Sequence, residues 1–375
     1  MKLDCSRETL LKEVQLVSRA ASTRAAIQAL SGVLLEAEGS KLKLAATDTE
    51  ISLRSSTDVE VERPGATLLP ARLLVDILRA VEGKTITLEH QPERNQVAIS
   101  SERATFQIRM LASDDFPRLP DPTGEGAVSL PAEALARTIE RVAKAASRDE
   151  TRPVLTGILV SVEDGGLRMV ATDSYRLSVR ETELDGAQVQ SFEANIPARA
   201  LQELSRLVGE TQAEHVSVLS RENQIVFEVD RVTLSSRLID GQFPNYRQLL
   251  PDSYEHEIRV DRGELVGVVR RISLMAQRNS PLRLRFDQGA LTISAQTPEV
   301  GEASETLPVS YQGDELEIGF NPQFLQDGLE SVESEELQLK LISPLRPGLI
   351  EAASDGNSEA DGKFLYLIMP VRLNV

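Results

Sequence analysis

The residue types most able to do chemistry are few and scattered: one cysteine, Cys5, and three histidines, His90, His215 and His256. No Cys/His spacing suits a metal, and neither Gly-x-Ser-x-Gly nor Gly-x-Gly-x-x-Gly occurs. Gly83-Lys84-Thr85 has the ending of a phosphate loop, but the leading glycine would fall at Leu78, so it reads as a helix-to-strand turn. Without clustered acids, bases or nucleophiles, the chain is expected to be no enzyme and to need no cofactor and no metal. The spacing that does carry chemistry is basic. Arg137, Arg141, Lys144 and Arg148 stand at i, i+4, i+7 and i+11, one stripe of a helix. Lys12 and Arg19 are seven apart, as are Arg271 and Arg278. Such stripes suit a phosphate backbone, gripped electrostatically and without regard to sequence.

The stripes stand out because the chain as a whole is acidic, with 41 basic and 58 acidic residues and a net charge of −17. Segments 6–24, 130–152 and 261–278 together hold thirteen basic and eight acidic residues, net +5, which leaves −22 on the rest. An acidic protein with basic stripes at corresponding places is built to attract a polyanion at one surface and repel it elsewhere. One helix breaks the pattern, since Asp327, Glu330 and Glu333 make it acidic.

The elements that position these stripes recur about every 125 residues. Ala46-Thr47-Asp48 returns as Ala171-Thr172-Asp173 and, more faintly, as Ala295-Gln296-Thr297. Leu69-Pro70-Ala71-Arg72 returns as Ile196-Pro197-Ala198-Arg199, and Phe116-Pro117 as Phe243-Pro244. A period this long gives each unit its own core, and the boundaries fall at 1–121, 128–250 and 256–375. Each unit opens with an amphipathic helix: Leu10, Leu11, Val14, Val17 and Ala21 after a Ser6 N-cap; Leu135, Ile139, Val142 and Ala146; Leu265, Val268, Val269, Ile272 and Met275. A second helix follows each Pro-Ala-Arg element, with Leu73, Leu74, Ile77, Leu78 and Val81 as its stripe in the first unit. Strand-like runs such as 85–89, 97–100 and 105–110 surround them. Hairpins dominate, so the expected fold class is α+β: three repeated domains, each of antiparallel sheets plus two helices on one side. Segments 120–126 and 251–256 read as linkers and 354–362 as a polar loop.

A lone cysteine, acids in the first residues and no run of about 18 apolar residues predict a cytoplasmic chain without internal disulfides.

Several of these segments together resemble the bacterial sliding clamps, the β subunits of DNA polymerase III. The match is carried by Leu11-Lys12, Arg24, Pro70-Ala71-Arg72, Asp115-Phe116-Pro117, Ala171-Thr172-Asp173 with Arg176-Leu177, Asp240-Gly241-x-Phe243-Pro244-x-Tyr246-Arg247, Gly319-Phe320-Asn321 and Met369-Pro370-Val371-Arg372-Leu373. It runs from the first residue to the end, in order. The resemblance implies three DNA-clamp domains joined head-to-tail with a second copy into a homodimeric ring, helices lining the hole and sheets outside.

It further implies that duplex DNA threads the ring while the replicative DNA polymerase, the clamp loader and other proteins with a clamp-binding motif dock on it. Arg24, Arg72 and Arg152 match DNA-touching positions. The family's glutamine and paired tyrosines near 149–154 are absent here, leaving Arg148 and Arg152 to substitute, with Lys12, Arg137, Arg141 and Lys144 from the stripes. A peptide groove would be lined by Leu155, Thr172, Tyr175, Arg176, Leu177, Pro244, Leu249, Asn321, Phe324, Leu345, Met369, Pro370, Val371, Arg372 and Leu373, with Arg176 and Arg372 available to peptide carbonyls or carboxylates. Asn374 and Val375 extend past the usual ending. Phe106 and Leu274 match protomer contacts, where an edge strand at 105–110 would pair across. The rival expectations are a clamp-fold protein-binding scaffold without DNA encirclement, and an enzyme with a site between repeats.

Overall fold

The repeated Ala-Thr-Asp signature builds the same turn twice. Thr47 donates its hydroxyl to the Ile51 carbonyl (2.8 Å) and accepts the Thr49 N–H, while Asp48 accepts the N–H groups of Glu50 and Ile51. Thr172 and Asp173 repeat this bond for bond onto Arg176, Ser174 and Tyr175. In each the residue after the aspartate, Thr49 or Ser174, has a positive φ of 80° or 78°; side-chain bonds to the backbone hold it in a conformation that costs about 1 kcal/mol or more. The third copy departs: Thr297 donates to Met275 O instead.

The computed structural model describes residues 1–23, 26–120, 126–184, 191–276, 280–298, 300–353 and 363–373. Six α-helices stand among them: α1 (Arg7–Val17), α2 (Ala71–Ala80), α3 (Ala132–Val142), α4 (Ala198–Glu210), α5 (Arg262–Ser273) and α6 (Pro322–Ser331). Ser6 caps α1, Asp261 caps α5 and Asn321 caps α6, each accepting first-turn N–H groups. The expected stripes are buried except where a helix end turns away. Leu73 on α2 is exposed, because Leu74, Val75, Ile77 and Leu78 already fill the buried face. Gly83-Lys84-Thr85 is the turn after α2, as expected, leading into strand Thr85–Gln91.

Two compact units result, residues 1–132 with 206–238, and residues 133–205 with 239–375. All strand pairs among the described residues are antiparallel. In the first unit a five-stranded sheet runs Glu60–Arg63, Lys2–Ser6, Thr85–Gln91, Gln96–Ser101, Ala104–Arg109. Its eight-stranded neighbour fuses two repeats: Val232–Arg237 pairs with Ile51–Asp58, opposing Ser235 to Ser52 and Leu234 to Leu53. The second unit repeats the scheme. Arg176–Glu183 pairs with Lys363–Ile368 at the centre of an eight-stranded sheet, and a four-stranded sheet ends on Gly301–Pro308. Thus Ala104–Arg109 and Gly301–Pro308 are outer strands, each with one side unpaired.

A glycine sets how α6 lies on its sheet. A Cβ at Gly328 would collide with the Tyr366 ring, so only glycine lets the helix approach the fully buried Tyr366, whose hydroxyl donates to Phe324 O at 2.9 Å.

Candidate functional site

The second unit carries a groove of about 680 Å³. The Thr172–Arg176 turn forms one wall, segment Gln248–Glu255 another, and Ile342, Leu345–Pro347, Leu367 and Met369 the rest. Its floor is a core of Val170, Leu177, Val179, Tyr246, Leu349 and Leu367, with Phe243 and Leu250 packed against it. Tyr246 is therefore an anchor. Buried, it and Phe243 pin the 240–250 segment to the sheet so that Leu249 is left facing solvent.

Around this opening large apolar side chains stand in water: Leu345 is 63% exposed, Tyr175 60%, Leu249 48% and Met369 40%. A cluster of that kind rimmed by Gln248, Asp252, Ser253 and Glu255 has the make-up of a protein-binding surface. Of the expected lining, the groove brings together Thr172, Arg176, Leu177, Leu249, Leu345 and Met369. Tyr175 stands beside it, its ring stacked on Phe324 at 6.4 Å. The terminal segment is fixed by Met369 N–H to Tyr175 O and Val371 N–H to Gly319 O, both 2.8 Å. Leu373 lies against Gly319, and Pro370 and exposed Arg372 complete the segment.

Some expected lining residues are elsewhere. Leu155 is turned inward by the turn Pro153–Thr156. Asn321 caps α6, and Pro244 is exposed and does not line the opening. Arg176 lines the groove with its guanidinium held by neighbours. It donates to Asp173 and Tyr366, pairs with Asp327, reaches Lys144 O, and lies 4.3 Å over the Phe324 ring. Conversely, Gln248, Leu250–Ser253, Glu255, Ile342, Arg346, Pro347 and Leu367 line the groove without a sequence signal to announce them; the polar, proline-bearing 251–256 reads as a linker, yet it is a wall.

The basic stripe is less free than its spacing suggests. Arg137 pairs with Glu133 one turn back (2.7 Å), Arg141 with Glu333 (2.6 Å) and Lys144 with Glu330 (3.3 Å). Acids on and just after α6 are counter-ions for these cations: Arg270 also binds Glu330 (2.7 Å), and Arg180, on the strand Arg176–Glu183, reaches Glu333. Arg152 is held by Asp149 and Ser174. Lys12, Arg72 and Arg148 are exposed and make no ion pair among the described residues. Arg72 lies in the first turn of α2, where the helix dipole opposes a cation by about 0.3–1 kcal/mol; it adds to the positive helix end instead of stabilising it, which favours an external anion. Arg24, Arg278, Asn374 and Val375 lie outside the described residues.

Glu330 records how strongly these cations act. Burial disfavours its charge, but hydrogen bonds from Gln326, Arg270 and Lys144 prevail and hold it down at about 2, against 4.5 ordinarily. Since the folded value lies below the unfolded one, the carboxylate stabilises the fold fully above pH 4.5 and loses that contribution as pH falls toward 2. Urea titrations should show Glu330→Gln losing less stability than the parent over that window; parallel losses would contradict this. Cys5 is buried, which pushes its thiol up to about 12 and leaves it no thiolate.

Fold and site together define a class: repeated antiparallel α+β domains with an apolar groove and basic helices. Comparison with known proteins makes it specific. Models of the N-terminal, central and C-terminal domains of the DNA polymerase III β subunit match residues 1–120, 129–245 and 247–372. The beta sliding clamp of Streptomyces coelicolor is 34% identical over 100% of both chains. The solved sliding clamp of Bacillus subtilis superposes with a TM-score of 0.92 at 32% identity, covering 100% of each chain. One from Pseudomonas aeruginosa, solved bound to griselimycin, gives 0.89 at 31%, again over 100% of each. The chain belongs to the family of bacterial DNA polymerase III β subunits, the sliding clamps. Its fold is that of three clamp domains, each antiparallel sheet with two helices.

Proposed function

We propose that two copies of this chain close head-to-tail into a ring around duplex DNA and tether the replicative polymerase, with no catalysis of their own. The observation that carries the reading is the sheet scheme. At both internal seams the last strand of one repeat pairs with the strand after an Asp-turn or its equivalent in the neighbour: Val232–Arg237 with Ile51–Asp58, and Lys363–Ile368 with Arg176–Glu183. By the same rule Ala104–Arg109, the last strand of the first repeat, pairs with Gly301–Pro308 of a second copy; each is an outer strand with one side unpaired. Phe106 and Leu274 belong to that seam. A heterologous contact of this kind closes into a ring when applied twice, with domains at 1–121, 128–250 and 256–375.

Lys12, Arg72 and Arg148 then face DNA phosphates, with Arg24 and Arg152. The 680 Å³ groove takes short apolar segments of the polymerase, the clamp loader and other proteins bearing a clamp-binding motif. Arg72→Glu with Arg148→Glu should weaken duplex binding tenfold or more and flatten log K against log salt by about 0.9 for each phosphate no longer neutralised. Fluorescence anisotropy over a KCl series reads both. An unchanged affinity and slope would favour a clamp-fold scaffold that binds proteins without encircling DNA.

A further inference from the structure

We propose that Glu330 is an internal stand-in for a DNA phosphate: it occupies Lys144 and Arg270, and so limits how many phosphates each chain neutralises. The inference rests on the reading that this chain encircles duplex DNA.

Two acids of the α6 region hold cations from three elements, and they do so differently. Glu333 lies in a tight arrangement. Arg141 binds its carboxylate and also donates to Glu330 O at 2.9 Å, and Arg180 beside it is buried. The Arg180 side chain is only 4% exposed and that of Arg141 23%, so this group has little room to exchange. Glu330 is different. One oxygen meets Arg270 at 2.7 Å and the other Lys144 at 3.3 Å, while Gln326, one turn earlier, donates to it at 2.7 Å and fixes its orientation. This is how a phosphate is held, by cations on separate oxygens, with a neutral donor added on the oxygen that Arg270 binds.

Exposure runs the other way from a structural pair. The Arg270 side chain is 60% exposed and Lys144 37%, whereas the Glu330 side chain is 23% exposed. Both cations can therefore turn to an external anion by side-chain rotation, with the carboxylate staying in place on α6. While Glu330 is charged, Lys144 and Arg270 are withheld, and the unmasked Lys12, Arg72 and Arg148 carry the grip. A ring that must slide needs a shallow grip, and masking two cations per chain keeps it shallow.

The test uses the full-length protein, a short duplex and anisotropy over a KCl series. Glu330→Gln should bind about tenfold tighter at low salt, and its slope of log K against log salt should steepen by about 0.9 for each cation engaged, up to about 1.8 per chain. Arg270→Gln alone should change affinity less than twofold, because the cation is already neutralised. Placed on Glu330→Gln it should reverse roughly half the gain, a coupling that a double-mutant cycle isolates. Equal affinity and slope for Glu330→Gln and the parent would overturn the proposal. If that variant does not fold, a loss for Arg270→Gln as large as that for Arg148→Gln would overturn it equally. Failure of the encirclement reading looks different: Arg72→Glu with Arg148→Glu would then leave the parent's binding untouched.

Discussion

Leu274→Asp should convert the ring into monomers. Light scattering coupled to gel filtration is expected to give twice the 41.1 kDa chain mass for the parent and the chain mass for the variant at micromolar concentration. Leu274 follows α5 and is 82% exposed, the most exposed large apolar side chain among the described residues. Buried at a seam it contributes about 1.5–3 kcal/mol. An unpaired carboxylate in its place adds a desolvation penalty of similar size. The sum, about 3–6 kcal/mol, is a hundredfold or larger loss in affinity per seam, and a two-copy ring has two seams. The monomer itself should melt within about 0.5 kcal/mol of the parent, as for other surface changes. A variant that kept the dimer mass would remove Leu274 from the interface and with it the inferred pairing of Ala104–Arg109 with Gly301–Pro308.

The second large effect concerns the groove. Truncation after Ile368 should lower affinity for a short polymerase or clamp-loader peptide at least about a hundredfold, since removing two anchors of about 2 kcal/mol each does more than that. The cut removes the Met369 wall and the Met369–Tyr175 and Val371–Gly319 bonds that hold this segment against the Tyr175 turn. Leu345→Asp, at a side chain already 63% exposed, makes the same test without touching the backbone. Both should leave DNA binding unchanged. Normal peptide binding by both would place the partner site elsewhere on the chain.

What the sequence made legible was whatever rests on local rules. The cap at Ser6, the strand near 105–110 and the helix stripes, Leu73 apart, follow from local spacing and are where spacing places them. Long-range pairing was not legible. Glu330 lies 186 residues from Lys144 and 60 from Arg270, so a stripe whose spacing suggests a solvated face is matched by acids on another helix. The partner that holds Arg176 is equally remote, Asp327 lying 151 residues away. The 251–256 segment misleads in another way. Its composition is that of a connector, and its role as a groove wall follows from Tyr246 and Phe243 tying the preceding residues to the sheet. Leu73 shows the limit of periodicity: an apolar residue next to a filled helix face remains in water.

Negative-stain electron microscopy of the purified protein with class averaging tests encirclement most directly. The account predicts closed rings of six lobes around a hole wide enough to pass duplex DNA. Open strings of three lobes with no hole would contradict it, leaving the basic helices without a lumen to line.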